Sequence, residues 1–406
     1  MSNSKEFKAV EYNYSALDRV VSGTAVATAL LDTVERLGAK RVFLLASASL
    51  GKATDQFQEI QAALGPRYAG LFDQIGSHTP RQQVLAALEA VRAADADVLV
   101  SLGGGSIIDA CKVIQLAIDQ DIRSEQQLLE YAQLGDGSRG VKAGDFSLFS
   151  GESRIRQIAV PTTLSGAEFS NNAGVLDTKK SAKEGYRGVD LCPKTIIYDP
   201  ALSVHTPEWL WLSTAIRSLD HAVEGFCSAD SHAYLDGHFL HAMRLFAESL
   251  PRTKADPKDL AARGLNQQAV WLACCGLGTV GHGASHGIGY ILGSLCGVPH
   301  GYTSCVMLPA VLSWNAQQTE SGESALAATQ RSIASALGKP DKSAAAAVKE
   351  LIASLGLPTS LQQVDVQSAQ LEEIANRAIK HPVVQKNPRK LETAEQVMEI
   401  LQLAWD

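Results

Sequence analysis

The stretch "DVLVSLGGGSIIDACKV", Asp97–Val113, constrains the fold of this chain more than any other. A short, branched apolar run enters three glycines and leaves into a segment whose apolar positions recur at helical spacing. A strand ending at Leu102, a glycine turn and a helix starting around Ser106 make one βα unit. Such units repeat where a parallel sheet is covered by helices. The first half supplies the repeats. "ATALLDTVERLGAK" reads as a helix closed by Gly38, "RVFLLAS" as a strand and "VLAALEAVRAADA" as a helix. "RQIAVPTT" and "KTIIYDP" read as two further strands.

After "YDPALSVHTPEW" the pattern changes. Segments such as "LSTAIRSLDHAVEGFCS", "DGHFLHAMRLFAESL", "NQQAVWLACCGLGTVG", "SALAATQRSIASALG" and "SAAAAVKELIASLG" are helical, and β-branched alternation nearly disappears. This predicts an α/β domain over residues 1–200 and an all-helical domain over 201–406, with the boundary near Pro200. A chain of 406 residues is long enough for two such domains. A formal charge of −7 gives no basic field for nucleic acid or an anionic membrane. No apolar run approaches the roughly 18 residues of a membrane span, and the N-terminus shows no apolar signal-peptide core. The seven cysteines are odd in number, in mostly apolar settings, with no CxxC pair. They read as reduced thiols, so a cytoplasmic protein is expected.

Glycines at 103–105 allow close backbone approach and positive φ, and the following helix N-terminus favours an anion. The form of the turn alone leaves a phosphate site and a structural turn equally open. A second loop, "AVPTTLSGAEFSNNAGV" (Ala159–Val175), leaves another strand into the hydroxyls Thr162, Thr163 and Ser165. Turn capping would account for such residues. Two polar loops after parallel strands nevertheless point to one crevice at the strand carboxyl ends.

"GGGSIIDACK", "PTTLSGAE", "LDHAVE" and "GVPHG", in this order and spacing, resemble the iron-containing (group III) alcohol dehydrogenase family. The maleylacetate reductase-like branch is the nearest, and the likeness extends to "NPRKLETAEQVMEIL" near the C-terminus. The resemblance implies a dehydroquinate synthase-like architecture, in which an α/β dinucleotide-binding domain with a parallel sheet joins an all-α domain, and usually a homodimer. It places Gly103, Gly104, Gly105, Ser106 and Asp109 at the cofactor pyrophosphate, Thr162 and Thr163 beside the nucleotide, and Lys183 at the cofactor ribose. At the end of the first strand, where an Asp often binds the adenosine ribose, stands Ser47. That change removes the repulsion of a 2′-phosphate, so NAD and NADP are both expected cofactors.

Metal-dependent members of that family hold a divalent ion, iron or zinc, with one Asp and three His. The likeness places the three at His221, His286 and His300, the last two fourteen residues apart. The Asp position, four residues before His221, holds Arg217. A guanidinium is no ligand, and it repels a divalent ion. Asp220 diverges from His221 because one residue step turns about 100° around a helix. Three imidazoles alone hold zinc in some sites, so a metal on His221, His286 and His300 stands as the lesser expectation. His282 makes an HxxxH pair with His286, but the likeness makes it a non-ligand. His232, His238 and His241 read as a surface helix, and His78 and His205 as turn residues, all without chemistry.

Tyr290 stands where metal-dependent relatives often carry another histidine, and its phenol can donate a proton to a forming alkoxide. Arg217 suits a substrate carboxylate. The resulting expectation is an NAD(P)H-dependent oxidoreductase that reduces a carboxylated keto compound by hydride transfer, with His221, His286, His300, Tyr290 and Arg217 as its catalytic cluster. Three rivals remain: a metal-dependent dehydrogenase of a neutral alcohol or aldehyde, a dehydroquinate synthase-like lyase, and an inactive nucleotide-binding protein. The insertion-like stretch Tyr131–Ser153 either covers the site or forms a surface loop.

Overall fold

The computed structural model describes residues 9–134, 138–143, 153–179, 182–317 and 326–406. Much of the Tyr131–Ser153 stretch, and the start of the helix predicted from Ser324, lie outside the described residues.

Among the described residues, nine strands form two sheets. In chain order they are β1 (Arg19–Ser22), β2 (Val42–Ala46), β3 (Tyr68–Phe72), β4 (Val98–Gly103), β5 (Gln133–Leu134), β6 (Arg156–Pro161), β7 (Asn172–Asp177), β8 (Ala182–Arg187) and β9 (Thr195–Tyr198). Six make the main sheet, ordered β1-β9-β6-β4-β2-β3 and parallel throughout. The central strands β2 and β4 are buried along their whole length, which is why they read as unbroken apolar runs rather than alternating ones. Ala46 pairs with Leu102, and Gly103 with Pro161. The turns after β2, β4 and β6 therefore open side by side at the carboxyl edge. The other three strands form a small antiparallel sheet, β5-β8-β7.

The helices of the first half are α1 (Val26–Leu37), α2 (Ala48–Ala53), α3 (Gln56–Leu64), α4 (Arg81–Ala93), α5 (Gly105–Asp119) and α6 (Glu125–Leu129), of which α1, α4 and α5 were expected from the sequence. Gly38 closes α1 in the left-handed conformation, as expected of a glycine cap. From Pro200 onward the described residues form helices and no strand. These helices are α7 (Pro200–Ser203), α8 (Glu208–Cys227), α9 (Ala233–Ala255), α10 (Leu260–Cys274) and α11 (Ala284–Cys296). They continue with α12 (His300–Ala316), α13 (Ala327–Ala336), α14 (Ala344–Ser354), α15 (Leu371–Ala378) and α16 (Ala394–Leu403). None is long and apolar enough to cross a membrane.

The change near Pro200 is one of secondary structure and not a gap in packing. One apolar cluster joins Ala159, Leu164, Ile196 and Tyr198 of the sheet side to Trp211, Ile216, Phe239 and Phe246 of the helices. At its centre runs α8, in which even Arg217, Asp220, His221 and Glu224 are buried. A helix covered on all sides must find partners for such groups. Those partners make the site.

Candidate active site

The glycine turn is built for close approach. Gly103 ends β4, and Gly104 is an extended N-cap (φ −81°) with no side-chain cap on α5. A Cβ at Gly104 would lie 3.0 Å from Thr163 Cγ2, and one at Gly105 would lie 3.2 Å from Ser165 Oγ. None of the three adopts positive φ, so of the two freedoms glycine allows, it is close approach that the turn uses. Glycine is needed here because the two loops touch, and the first amides of α5 stay open to an anion. Gly104→Val is expected to raise KM for the nicotinamide cofactor by roughly 10-fold or more, with little change in kcat, as steady-state kinetics would show. Ser47 lies against the same turn, 3.4 Å from a Cβ at Gly103, and its hydroxyl pairs with Ser49.

The Thr162–Ser165 loop is sewn to α8. Leu164 N–H donates to Thr214 Oγ1 (3.0 Å), Ser218 Oγ donates to the Leu164 carbonyl (2.5 Å), and Thr206 Oγ1 donates to the Thr162 carbonyl (2.5 Å). Thr214 and Ser218 are four apart and share one helix face. Arg217 and His221, also four apart, share the next. The Ser165 backbone reaches the His221 ring and favours its protonated form, so the loop that meets the glycine turn also meets the first imidazole.

Five candidate residues converge. The rings of His221 and His286 lie 4.4 Å apart, and Tyr290 lies 6.4 Å from both His286 and His300. The Arg217 guanidinium sits over the Tyr290 ring at 5.4 Å and donates to Ser304 Oγ (3.1 Å). Behind them, Asp220 accepts from Ser285 and Ser304 hydroxyls, each at 2.7 Å. Glu224 accepts from the backbone N–H of Gly283 (2.9 Å) and Ser285 (2.7 Å) and from His286 Nδ1 (2.8 Å). Burial lifts both carboxyls above the usual carboxylate range, and the Asp220 charge lifts Glu224 further. Burial, with Arg217 nearby, holds the imidazoles of His221, His286 and His300 well below their ordinary value, so they are neutral at pH 7.

Lys183 reaches the same place from β8. Its neighbour Glu184 points to the opposite face, where it is clamped by Arg81 and by Tyr186 Oη (2.9 Å). The Lys183 ammonium contacts His300 Nε2. Burial, then Arg217, holds its pKa down to about 8. Asp109 accepts from Gly174 N–H (2.9 Å) and lies 3.6 Å from Lys112, so its carboxylate turns toward the strand pair that carries Lys183. Ser106 Oγ accepts from His78 N–H (3.0 Å), and the His78 ring lies 5.9 Å from His300. Two separate routes, through Ser165 and through His78, thus join the glycine turn to the imidazoles.

Three residues escaped the sequence reading. His78, taken as a turn residue, sits between Ser106 and His300. His282, set aside as a non-ligand, has Nε2 2.9 Å from His221 Nδ1. His381 lies 5.5 Å from the Tyr290 ring. The HxxxH spacing was the one available signal, and it pointed to His282.

A divalent ion on His221, His286 and His300 does not fit these contacts. Arg217 stands at the carboxylate position, and the Lys183 ammonium occupies His300 Nε2. Two cations crowd a set with no carboxylate ligand of its own.

A parallel-sheet domain whose glycine turn faces a buried cluster of neutral imidazoles, a tyrosine and two cations defines a nicotinamide-dependent oxidoreductase. The chain belongs to the iron-containing alcohol dehydrogenase family. Residues 18–200 match "Iron-containing alcohol dehydrogenase", and residues 211–405 match "Fe-containing alcohol dehydrogenase family, C-terminal". Dehydrogenase ALT3 of Alternaria alternata is 33% identical, over 90% of this chain and 99% of that protein. Maleylacetate reductase 1 of Rhodococcus opacus is 30% identical, over 96% and 94%. The solved maleylacetate reductase of Agrobacterium tumefaciens superposes with a TM-score of 0.80 at 26% identity, covering 98% of this chain and 99% of that one. The enzyme is thus an NAD(P)-dependent oxidoreductase with the two-part fold the sequence pattern predicted.

Proposed function

We propose that the enzyme reduces a carboxylated keto compound with NADH or NADPH, in the manner of a maleylacetate reductase. One observation carries this reading. Arg217 is buried beside the imidazoles and spends one of its five N–H donors on Ser304, which leaves a fixed cationic fork for a carboxylate. The dehydrogenase names among the relatives keep the reading at the class of carboxylated keto compounds and not at maleylacetate itself.

In this reading the amides of Gly104, Gly105 and Ser106 hold the pyrophosphate. Ser47, Thr162 and Thr163 line the nucleotide, and Asp109 steadies the strand pair that brings Lys183 to the cofactor ribose. The cofactor supplies the hydride from C4 of its nicotinamide. The accepting carbon is the carbonyl carbon or the end of its conjugated double bond. The electron pair passes to oxygen, and the Tyr290 phenol delivers the balancing proton, which it regains from solvent. Arg217 and Lys183 stabilise the negative charge as it develops. No metal enters these steps. A homodimer in the cytoplasm belongs to the same reading, and the described cysteines are free thiols.

Oxidation of NADH and NADPH against a panel of keto acids and aldehydes, with and without added metal, tests it. Turnover of carboxylated substrates without metal is expected. Turnover confined to neutral aldehydes, or dependent on iron or zinc, would overturn it. The pH profile adds a check. With its pKa near 8, Lys183 is charged at pH 7 and neutral above about 9, so kcat/KM should fall on the basic side. Lys183→Arg, which keeps its charge, should move that limb upward.

A further inference from the structure

We infer that Arg81, the first residue of α4, is a positioning residue for the reaction. With the turn before it, Arg81 sets the end of the β7–β8 pair that carries Lys183 and ties that end to the glycine turn. The inference rests on the reading that brings Lys183 to the cofactor, and goes beyond it by assigning what holds Lys183 there.

Strands β7 and β8 lie outside the main sheet, so no ladder of that sheet fixes their distance from the glycine turn. A small strand pair needs other packing to keep its place. Side chains of α5 hold one end of β7. There Asp109 accepts from Gly174 N–H (2.9 Å), and the Lys112 ammonium donates to the Asn172 carbonyl (2.8 Å). Arg81 holds the other end. Leu176 pairs with Lys183 across the ladder; Asp177 follows the first and Glu184 the second. The Arg81 guanidinium bonds Glu184, lies 3.1 Å from Asp177 and reaches Glu125 of α6 at 2.5 Å. Arg81, Asp177 and Glu184 are all buried. Neighbouring residues of a strand face opposite ways. Holding Glu184 behind the pair therefore holds Lys183 in front of it, on His300. A planar fork of five donors engages three carboxylates in a fixed geometry, which an ammonium does not reproduce.

The turn before Arg81 continues the grip. The Thr79 carbonyl accepts from the N–H of Leu176 (3.0 Å), the residue that pairs with Lys183. On its other side, Thr79 Oγ1 donates to the Ser106 carbonyl (3.1 Å), and Ser106 Oγ accepts from His78 N–H (3.0 Å). Ser106 lies in the first turn of α5, whose amides the proposed reading gives to the pyrophosphate. His78 and Thr79 both hold positive φ, 63° and 57°. Two successive non-glycine residues in that conformation persist only where their surroundings fix them. Here the fixing contacts run to the cofactor turn on one side and to the strand pair of Lys183 on the other.

A double-mutant cycle in the full chain separates positioning from support of the fold. Lys183→Met is expected to lower kcat/KM for the nicotinamide cofactor by about 10-fold or more. Arg81→Lys keeps the charge and loses the fork; Glu184→Gln keeps the shape and loses the charge. Each should lower kcat/KM by about 5-fold or more in the otherwise unaltered enzyme. Added to Lys183→Met, each should change it by less than about 2-fold, because it acts through a side chain already removed. The thermal midpoint, lowered by each change to the same extent in both backgrounds, reads the structural part of the effect. Should Arg81→Lys fail to fold, Glu184→Gln runs the same cycle. Equal losses of kcat/KM with and without Lys183 would overturn the inference and leave the proposed reaction standing. Unaltered cofactor kinetics in Lys183→Met would overturn it together with the placement of Lys183 at the ribose.

Discussion

Replacing Arg217 with alanine is expected to raise KM for a carboxylated keto substrate by about 10- to 100-fold, while KM for a neutral aldehyde stays within about 3-fold. Hydrogen bonds between a guanidinium and a carboxylate contribute about 1.5–3 kcal/mol, and 1.4 kcal/mol is one decade in binding. The guanidinium is already held in place by Ser304 (3.1 Å) and the Tyr290 ring (5.4 Å), so a substrate meets it with little ordering left to do. Arg217→Lys should recover only part of the loss, since an ammonium keeps the charge but not the planar fork. The diagnostic is the difference between substrates. Equal increases in KM for charged and neutral compounds would assign Arg217 to shaping the site rather than to reading a carboxylate.

Four strands of the main sheet, β2, β4, β6 and β9, were legible because their signal is local, whereas the half-buried β1 and β3 at its edges were not. The runs at 42–46 and 98–103 are buried on both faces and so carry no polar interruption. That His221, His286 and His300 come together around Tyr290 was suggested only by the family resemblance. Their partners were not legible, because long-range packing decides those. His78 comes to His300 on a turn of positive φ (63°), and that turn is anchored by Ser106, 28 residues away. Lys183 reads as a surface charge until Arg81 fixes Glu184 on the opposite strand face. His282 reads as one end of a helical pair, yet α11 begins at Ala284, and Glu224 from another helix folds the preceding turn. The change from strands to helices near Pro200 was visible in the sequence pattern. The core shared across it was not, since periodicity reports which face of an element is apolar and not what covers that face.

Glu224 is the residue whose loss should cost the most stability. Its carboxyl accepts from the backbone N–H groups of Gly283, Ser285 and His286 and from the His286 ring, all in the interior. Alanine removes the acceptor and leaves four buried donors, at about 1–3 kcal/mol for each one that water cannot reach. Partial relaxation of the turn makes a net loss of about 3–5 kcal/mol the expected result, read as a lower midpoint in chemical denaturation. Glu224→Gln should fall between, because its one carbonyl oxygen can still accept while its amide faces donors with another donor. The kinetic consequence separates structure from chemistry. Freed from Glu224, His286 can carry its proton on either nitrogen, and the His282 turn is no longer held. Even at temperatures where the Gln variant is fully folded, kcat should therefore drop more than cofactor KM rises, because the glycine turn lies on the far side of the Thr214 and Ser218 contacts. A Gln variant with unaltered stability and kcat would mean that the turn and the His286 tautomer are set without this carboxylate.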